Sequence, residues 1–296
     1  MATTARQRPT DSPLSQPIHQ LTLPPESRPW RDNAFLLFWD PKADIYGSAH
    51  VTTSPNAEGR RARFSLTVAG DTVEIVEALA PNSFASESLT FDVPNNQVRV
   101  RCRKVSADLE LAPRFAVADY AASGIFPSVD PDVPIHHYQQ GVSVAGEIRL
   151  LDKALAIDAH GLRDRTWGYR DESVSIQEYV ALVAFFPDHV LTVMRMLAAD
   201  GSNRMEGYRL TDDAEPLTQF GVTRDAAGFL VEAHLDGTGG EFDVRAVDRR
   251  AGFWVPMGAV RRAPAIRAYD EFVALRTTTG DDGFGVVEQA VVHRLF

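Results

Sequence analysis

The chain has 296 residues, of which 44% are hydrophobic and 24% charged, the proportions of a soluble globular protein with room for one large domain or two ordinary ones. Its net charge of −10, from 30 basic and 40 acidic residues, argues against nucleic acid or an anionic membrane as the main partner, because both need a basic surface. The single cysteine excludes an intrachain disulfide, and no run of about 18 apolar residues predicts a membrane span.

The predicted elements begin with a polar leader over residues 1–29. This stretch is rich in Pro, Ser, Thr and Gln and lacks the apolar segment of a signal peptide, so we expect it to be flexible and the protein to be cytoplasmic. Residues 35–47 then bring Trp39 and Tyr46 together with two aspartates. Such aromatic residues usually belong to the core, but they can also line a ligand cavity.

Period-two alternation of apolar and polar residues dominates the rest of the chain and predicts short antiparallel strands. In residues 61–68, for example, every second side chain is apolar. The other predicted strands are 97–103, 142–150, 178–186, 190–197, 229–235, 241–247 and 285–296. Turns rich in Gly, Asn and Asp separate these strands, and Pro187-Asp188 predicts a hairpin. Helical periodicity is scarce: residues 113–124 predict a short helix, and residues 263–274 are ambiguous.

Many short strands and few helices predict an all-β protein built from barrels or sandwiches, and the length suggests two of them. Residues 121–134, which contain four prolines or glycines, are the best candidate for a long connection near the boundary. We therefore expect an N-terminal domain over residues 30–150 and a C-terminal domain over residues 151–296. The absence of a sequence repeat of about 20–50 residues disfavours a propeller or a solenoid.

The most informative segment is residues 160–171, His-Gly-Leu-Arg-Asp-Arg-Thr-Trp-Gly-Tyr-Arg-Asp. It predicts the polar floor of a pocket, because an unpaired buried charge costs several kcal/mol and an ordinary surface loop has little use for a central tryptophan. Strand alternation would place Arg163, Arg165 and Trp167 on one face and Asp164 on the other. Asp164 is then a candidate proton donor or acceptor, since burial raises its pKa and close arginines lower it. The alternative interpretation is a salt-bridged loop that fastens two domains together.

Two further segments carry candidate site residues. His137 begins a His-Tyr-Gln-Gln run that either orients a substrate oxygen or Asp164, or is only a solvated end of a strand. His136 and His137 point to opposite faces of an extended strand, so both cannot bind one metal ion. Glu288 lies in an otherwise apolar final strand and needs a partner, for which an arginine from residues 163–170 is the natural candidate.

The motifs of several common enzyme classes are absent from the sequence. There is no nucleophile elbow, no phosphate-binding loop, no dinucleotide-binding glycine motif and no His-Glu-x-x-His pair. Covalent serine catalysis and redox cofactors therefore have no support, and we expect neither a cofactor nor a metal ion.

The order of the motifs resembles that of a known superfamily. The chain resembles the lipocalin-like superfamily of carotenoid 1,2-hydratases (hydroxyneurosporene synthases) and AttH-type proteins. The resemblance rests on four motifs in this order: His-Tyr-Gln-Gln, Val144-Ala-Gly-Glu-Ile148, Gly161-x-Arg-Asp-x-x-Trp-Gly-x-Arg-Asp171 and a terminal Gly-Phe-Gly-Val-Val-Glu. The chain most resembles a bacterial branch with an Arg-Asp-His-Ser-Trp-Gly signature, although Arg165-Thr166 stands here in place of His-Ser. The N-terminal Phe-Trp-Asp-Pro segment fits the first half of that branch.

The resemblance implies two lipocalin-like antiparallel β-barrels packed together, with few short helices. It also implies a mostly apolar ligand cavity at or near the junction of the two barrels. Asp164 and Trp167 match the Asp-x-x-Trp-Gly motif of the hydratases, in which the aspartate is the proposed acid that protonates an alkene.

These observations predict a cofactor-independent acid/base enzyme, a lyase or an isomerase, that acts on a hydrophobic terpenoid, steroid or polyketide-like molecule. The expected reactions are hydration or dehydration, double-bond isomerisation and cyclisation, with Asp164 as proton donor and Glu288 and His137 as further catalytic candidates. Aromatic faces for a developing cation and arginines for a polar end of the substrate are expected from Trp39, Tyr46, Arg163, Trp167, Tyr169 and Arg170.

The alternative is a non-catalytic carrier of hydrophobic ligands, in which residues 160–171 clasp the two barrels together. The sequence leaves the oligomeric state open, a homodimer included.

Overall fold

The computed structural model describes residues 12–121, 124–126, 128–130, 132–171, 176–198, 200–256 and 266–292. The first nine strands form one antiparallel sheet, in the order β4-β3-β2-β1-β9-β8-β7-β6-β5. These strands are β1 (Trp30–Asp40), β2 (Ile45–Thr53), β3 (Arg61–Val68), β4 (Asp71–Ala78), β5 (Leu89–Asp92), β6 (Gln97–Arg101), β7 (Val105–Asp119), β8 (His136–Leu150) and β9 (Lys153–Tyr169).

The remaining strands close into an eight-stranded antiparallel barrel, in which each strand pairs with its neighbours in the chain and the last pairs with the first. Closure leaves no free strand edge, which is the up-and-down architecture of lipocalins. The strands are β10 (Ile176–Phe185), β11 (Val190–Ala198), β12 (Asn203–Leu210), β13 (Ala214–Arg224), β14 (Leu230–Gly237), β15 (Gly240–Pro256), β16 (Ile266–Thr277) and β17 (Asp282–Val292).

Strand alternation divides the apolar side chains into three cores. Alternate residues of β1, such as Leu36 and Phe38, enter a core inside the curled nine-stranded sheet, whereas Leu37 faces the other way. In the barrel, Leu182 and its alternation partners fill the interior. Side chains on the outer face of the barrel, such as Val183, pack against the outer face of the sheet and form the third core. The two units therefore share an extensive apolar interface.

The all-β architecture of two packed lipocalin-like units is confirmed, as is the hairpin at Pro187-Asp188. The helix predicted over residues 113–124 is wrong. Residues up to Asp119 belong to β7, because they pair with β8 across an irregularity that begins at Pro113. The ambiguous residues 263–274 form strand from Ile266 onward; residues 263–265 lie outside the described residues, as do residues 293–296 of the last predicted strand.

The change from sheet to barrel lies between Tyr169 and Ile176, not near residue 150 as predicted from the sequence. β9 pairs with β1 on one side and with β8 on the other, so it completes the centre of the first sheet. The part of the motif up to Tyr169 therefore lies on the N-terminal unit, although the whole motif was assigned by sequence to the C-terminal domain.

Residues 12–29, expected to belong to a flexible leader, pack against the sheet. Pro13–Ser15 form a 3-10 turn capped by the side chain of Ser12, and Leu14 is buried. The backbone and ring nitrogens of His19 lie 2.9 and 3.0 Å from Oδ2 of Asp32. Residues 1–11 lie outside the described residues. In the part of the chain that is described, no helix has the length and apolarity that crossing a membrane requires.

Candidate functional site

A cavity lies between the outer face of the sheet and the outer face of the barrel, and we call it the junction cavity. The volume of this cavity is about 110 Å³. The sheet and the connections next to it contribute Asn33, Phe35, Leu37, His50, Phe126, His137, Gln139, Leu162, Asp164, Thr166 and Arg170. The barrel contributes Ile176, Tyr179, Ala181, Val183, Thr192, Met194, Val255, Asp270, Val286 and Glu288.

Asp164 lies in the centre of the sheet wall of this cavity. Its cross-strand neighbours are Phe35 on β1 and Gln139 on β8, and both also line the cavity. Burial raises the pKa of Asp164 to about 7, while the charge of Arg170 opposes this rise and that of Glu288 adds to it. A carboxyl group with this pKa can release and regain a proton near neutral pH, as a general acid requires.

A short polar chain connects Asp164 to His137. Nδ1 of His137 lies 2.6 Å from Oγ1 of Thr166, which lies 3.5 Å from Oδ1 of Asp164. Burial lowers the pKa of His137 to about 3, with a further contribution from Arg170, so the imidazole is neutral at physiological pH. If Nδ1 carries the proton, Thr166 can donate its own to Asp164, and Nε2 of His137, which has no hydrogen-bond partner among the described residues, can accept one.

The barrel wall carries two carboxyl groups and a phenol. Tyr179 on β10 donates a hydrogen bond to Oε1 of Glu288 on β17. Asp270 on β16 is the cross-strand partner of Glu288 and is 2% exposed. Burial raises the pKa of both carboxyl groups, while Tyr179 lowers that of Glu288 and Glu288 raises that of Asp270. The partner expected for Glu288 was an arginine; Arg170 contributes its charge, but the hydrogen bond comes from Tyr179.

Arg170 lies in the connection between β9 and β10, lines the junction cavity and supplies positive charge there. That charge lowers the pKa of both Asp164 and Glu288, and its guanidinium carbon lies 5.6 Å from the ring centroid of Phe126. The substrate-binding role expected for Arg170 stays a prediction.

Arg163, Arg165 and Trp167 occupy the opposite face of β9 and do not line the junction cavity, contrary to the substrate-binding role expected for Arg163 and Trp167. Arg163 donates to Oε1 of Gln140 at 2.8 Å and to Oδ1 of Asn96. The pKa of Arg163 falls to about 10 because of burial. These contacts lie on the side of the sheet away from the barrel.

Arg165 forms a buried ion pair with Asp32, and both side chains are 1% exposed. Arg165 also donates to the carbonyl oxygen of Asn33 at 2.6 Å, and its guanidinium lies over the ring of Trp167 at 5.3 Å. Trp167 stacks on His136 with ring centroids 5.1 Å apart. These residues fasten β9 to β1 and to the N-terminal segment, so they act as a clasp within the first unit.

Three other expected substrate-binding residues also lie outside the lining of the junction cavity. Trp39 and Tyr46 are buried in the interface core, where both pack edge to face against Phe272. Tyr169 packs against Trp30 with ring centroids 5.1 Å apart.

Sequence reasoning missed Asp270 and Tyr179. Asp270 has a signal of the same kind as Glu288: it alternates with Ala268 and Phe272, so a carboxyl group shares a face with apolar side chains. Tyr179 has no such signal, since a tyrosine in an apolar strand is ordinary. Within the described ranges, no group of three or more His, Cys, Asp and Glu side chains is placed to hold a metal ion.

The chain belongs to the family described as a domain of unknown function, DUF7064, which matches residues 16–290. A search of curated proteins finds no match. Several crystal structures share the fold. One is a Nitrosomonas europaea protein assigned to AttH, with 12% identity, a TM-score of 0.63 and coverage of 99% of this chain and 100% of that chain.

Two other crystal structures show the same two-unit fold. CghA has 10% identity, a TM-score of 0.62 and coverage of 90% of each chain. Kievitone hydratase from Nectria haematococca has 14% identity, a TM-score of 0.60 and coverage of 94% of this chain and 91% of that chain. At these identities, the similarity establishes the lipocalin-like architecture.

Proposed function

We propose that this protein is a cofactor-independent acid/base enzyme that acts on a neutral, largely hydrophobic small molecule in the junction cavity. The observation that carries the proposal is Asp164, a carboxyl group that faces the junction cavity and whose pKa burial raises to about 7. A structural carboxylate in a protein interior is normally paired and has a lowered pKa, whereas a raised pKa in a cavity is typical of catalytic acids.

The reaction classes that suit this site are hydration or dehydration, double-bond isomerisation and cyclisation. In hydration, Asp164 transfers its proton to one alkene carbon, and the other carbon becomes cationic. Water attacks that carbon while Glu288 takes one of the water protons, and the proton must then return from Glu288 to Asp164. Phe35 and Phe126 line the cavity, and an aromatic ring beside a developing cation would stabilise it.

Hydration is the first reaction to test, since one protein with this fold is named a hydratase. The substrate classes we favour are terpenoid, steroid and polyketide-like molecules, because most of the lining surface is apolar and the polar side chains among the lining residues can orient an oxygen function.

The test is an untargeted assay with the full-length protein. A solvent extract rich in terpenoids, steroids and polyketides is incubated with enzyme in isotopically heavy water, and products are followed by mass spectrometry. We expect features that gain one water or one deuterium with the native protein and not with Asp164→Asn, since losing a general acid costs about 10²–10⁴-fold in rate. Products formed equally by Asp164→Asn would remove Asp164 from the mechanism.

The second candidate is a non-catalytic carrier, which the apolar part of the cavity lining also favours. A carrier would retain a bound molecule through purification and return it unchanged. Native mass spectrometry before and after incubation separates the two functions, because only an enzyme converts the bound molecule.

A further inference from the structure

The barrel wall of the junction cavity holds two carboxyl groups side by side on neighbouring strands. Asp270 and Glu288 are cross-strand partners on β16 and β17, and both line the cavity. Directly opposed side chains on one sheet face have Cβ atoms about 5 Å apart. Like charges at such positions repel, and in a protein interior the repulsion is stronger than in water.

The two carboxyl groups differ in their partners. Glu288 accepts a hydrogen bond from the phenol of Tyr179. Oδ1 of Asp270 is buried and has no hydrogen-bond partner among the described residues. A buried carboxylate oxygen without a donor is unfavourable, so Asp270 is the member of the pair that keeps a proton. The pKa shifts have the same order: burial and Glu288 raise the pKa of Asp270 well above its ordinary value, while Tyr179 restrains the rise at Glu288.

The surrounding charges limit this pair to one proton. Arg63 on β3 lowers the pKa of both members, and Arg170 lowers that of Glu288. Arg63 is already engaged with Glu74 at 2.9 Å, so its influence is that of a field and not of a dedicated ion pair. On the opposite wall, the charge of Glu288 raises the pKa of Asp164. Two positive charges nearby favour the loss of one proton from the pair, and the missing donor at Asp270 disfavours the loss of the second.

We propose that Asp270 and Glu288 act as one acid–base unit that holds a single proton, and that this unit is the base that works opposite Asp164. The inference rests on the proposed function and identifies the base of the proposed acid/base reaction. Glu288 is the member that meets the substrate water, and Asp270 is a positioning residue that acts through Glu288 by keeping it ionised at the start of the cycle.

The proton balance of one hydration turn follows from this assignment. Asp164 begins protonated, Glu288 ionised and Asp270 protonated. After the proton of Asp164 has moved to carbon and one water proton to Glu288, Asp164 is ionised and Glu288 is neutral. Transfer of one proton from Glu288 back to Asp164, through water in the cavity, restores the starting state with no net change. Acid and base on different walls would deliver the proton and the hydroxyl from opposite sides of the substrate.

The test is a titration of the full-length protein without substrate. Asp and Glu side chains are labelled with ¹³C at the carboxyl carbon, and their shifts are followed by NMR against pH. We expect the signals of Asp270 and Glu288 to show two common steps, since coupled groups titrate as a pair. Each signal is assigned by its loss in Asp270→Asn or Glu288→Gln, and Asp282→Asn, an exposed position on β17, is the control.

Each variant should also change the titration curve of the carboxyl group that remains. In Glu288→Gln, Asp270 should titrate in one step and at a pKa at least about one unit lower, because the like charge has been removed. In Asp270→Asn, Glu288 should also titrate in one step, near the first step of the native pair, because asparagine is uncharged like the protonated Asp270. If one variant does not fold, the other still assigns one signal of the pair, and the two-step curve of that signal in the native protein tests the coupling. Independent single-step curves in the native protein, or a Glu288 curve unchanged in Asp270→Asn, would overturn the inference.

Failure here is distinguishable from failure of the proposed function, because the titration uses no substrate. When the assay with heavy water yields a product, Glu288→Gln should reduce turnover about 100-fold, and Asp270→Asn should shift the pH–rate profile while retaining turnover. A pH profile unchanged in Asp270→Asn would contradict the role of Asp270, whatever the effect of Asp164→Asn.

Discussion

The two faces of β9 carry alternate residues of one motif. The charged groups on one face form a buried ion pair, whereas the carboxyl group on the other face lines a cavity. On the inner face, Arg165 meets Asp32 in a fully buried ion pair, supported by backbone carbonyls and His19. On the outer face, Asp164 has one hydroxyl group at 3.5 Å and otherwise faces the junction cavity. On the inner face the carboxylate of Asp32 is neutralised by Arg165, whereas on the outer face the carboxyl group of Asp164 has only the hydroxyl group of Thr166 within hydrogen-bonding distance.

The difference is clearest in two aspartates on neighbouring strands. Both are in the interior, where burial raises the pKa of each. At Asp32, the hydrogen bonds from His19 and the charge of Arg165 outweigh burial, and the pKa is lowered. At Asp164, burial prevails and the pKa rises to about 7. The partners, and not the depth, decide whether a carboxylate is a structural anchor or an exchangeable proton.

The largest effect is expected on the inner face. Arg165→Ala should reduce the free energy of unfolding by about 3–5 kcal/mol, because Asp32 would remain as a buried charge without its cation. Urea denaturation measures the loss. Arg101→Ala is the matched control, since its pair with Asp108 is exposed and should contribute at most about 1 kcal/mol. Equal effects of the two substitutions would show that the inner face is not a clasp.

The contributions of Asp164 and Asp32 to the free energy of unfolding should change with pH in opposite directions. The pKa of Asp164 is raised from 3.8 to about 7 in the folded protein, so its contribution is fully present below pH 4 and is lost as the pH rises toward 7. We expect Asp164→Asn to gain about 2–4 kcal/mol relative to the native protein at neutral pH, allowing for water in the cavity, and nothing near pH 4.

Asp32→Asn provides the opposite case. The folded pKa of Asp32 is lowered, so its contribution is present above its unfolded pKa and is lost on acidification. This variant should therefore lose stability at neutral pH, and the loss should shrink in acid. Thermal melts from pH 4 to pH 8 record both curves, and parallel curves for the two variants would contradict the comparison.

The packing of the N-terminal segment, residues 12–29, against the inner face should contribute to the free energy of unfolding. Leu14→Ala is expected to cost about 2 kcal/mol, at the low end for a buried leucine because a short segment can move inward to fill the space. The measurement is urea denaturation, together with hydrogen exchange at the backbone amide of His19. Unchanged stability would restore the original expectation of a flexible leader.

The smallest effect is expected at Thr166. Thr166→Val removes the hydroxyl group at 2.6 Å from Nδ1 of His137 and should cost about 1 kcal/mol. The ¹⁵N shifts of the His137 ring should change as its hydrogen-bond partner is lost, while those of His136, on the opposite face, should not. A shift at both rings would indicate a general disturbance of the sheet.

Much of the secondary structure follows from the sequence alone, because side chains in a strand alternate between two environments. Residues 61–68 coincide with β3, and alternation alone separated Arg163, Arg165 and Trp167 from Asp164. The same rule identified Glu288 as a carboxyl group directed to an apolar side. These conclusions need only local information, since the period of a strand is set by its own backbone.

Only the tertiary structure decided which groups meet. β9 pairs with β1, far away in the chain, so the strand part of the motif belongs to the first sheet, and Arg163 and Arg165 meet Asn96 and Asp32 instead of the barrel. The neighbours of Glu288 likewise depend on the register of β10, β16 and β17, which brings Tyr179 and Asp270 to it. Strand pairing and register arise from contacts between distant segments, and a shift of one residue would exchange the two faces.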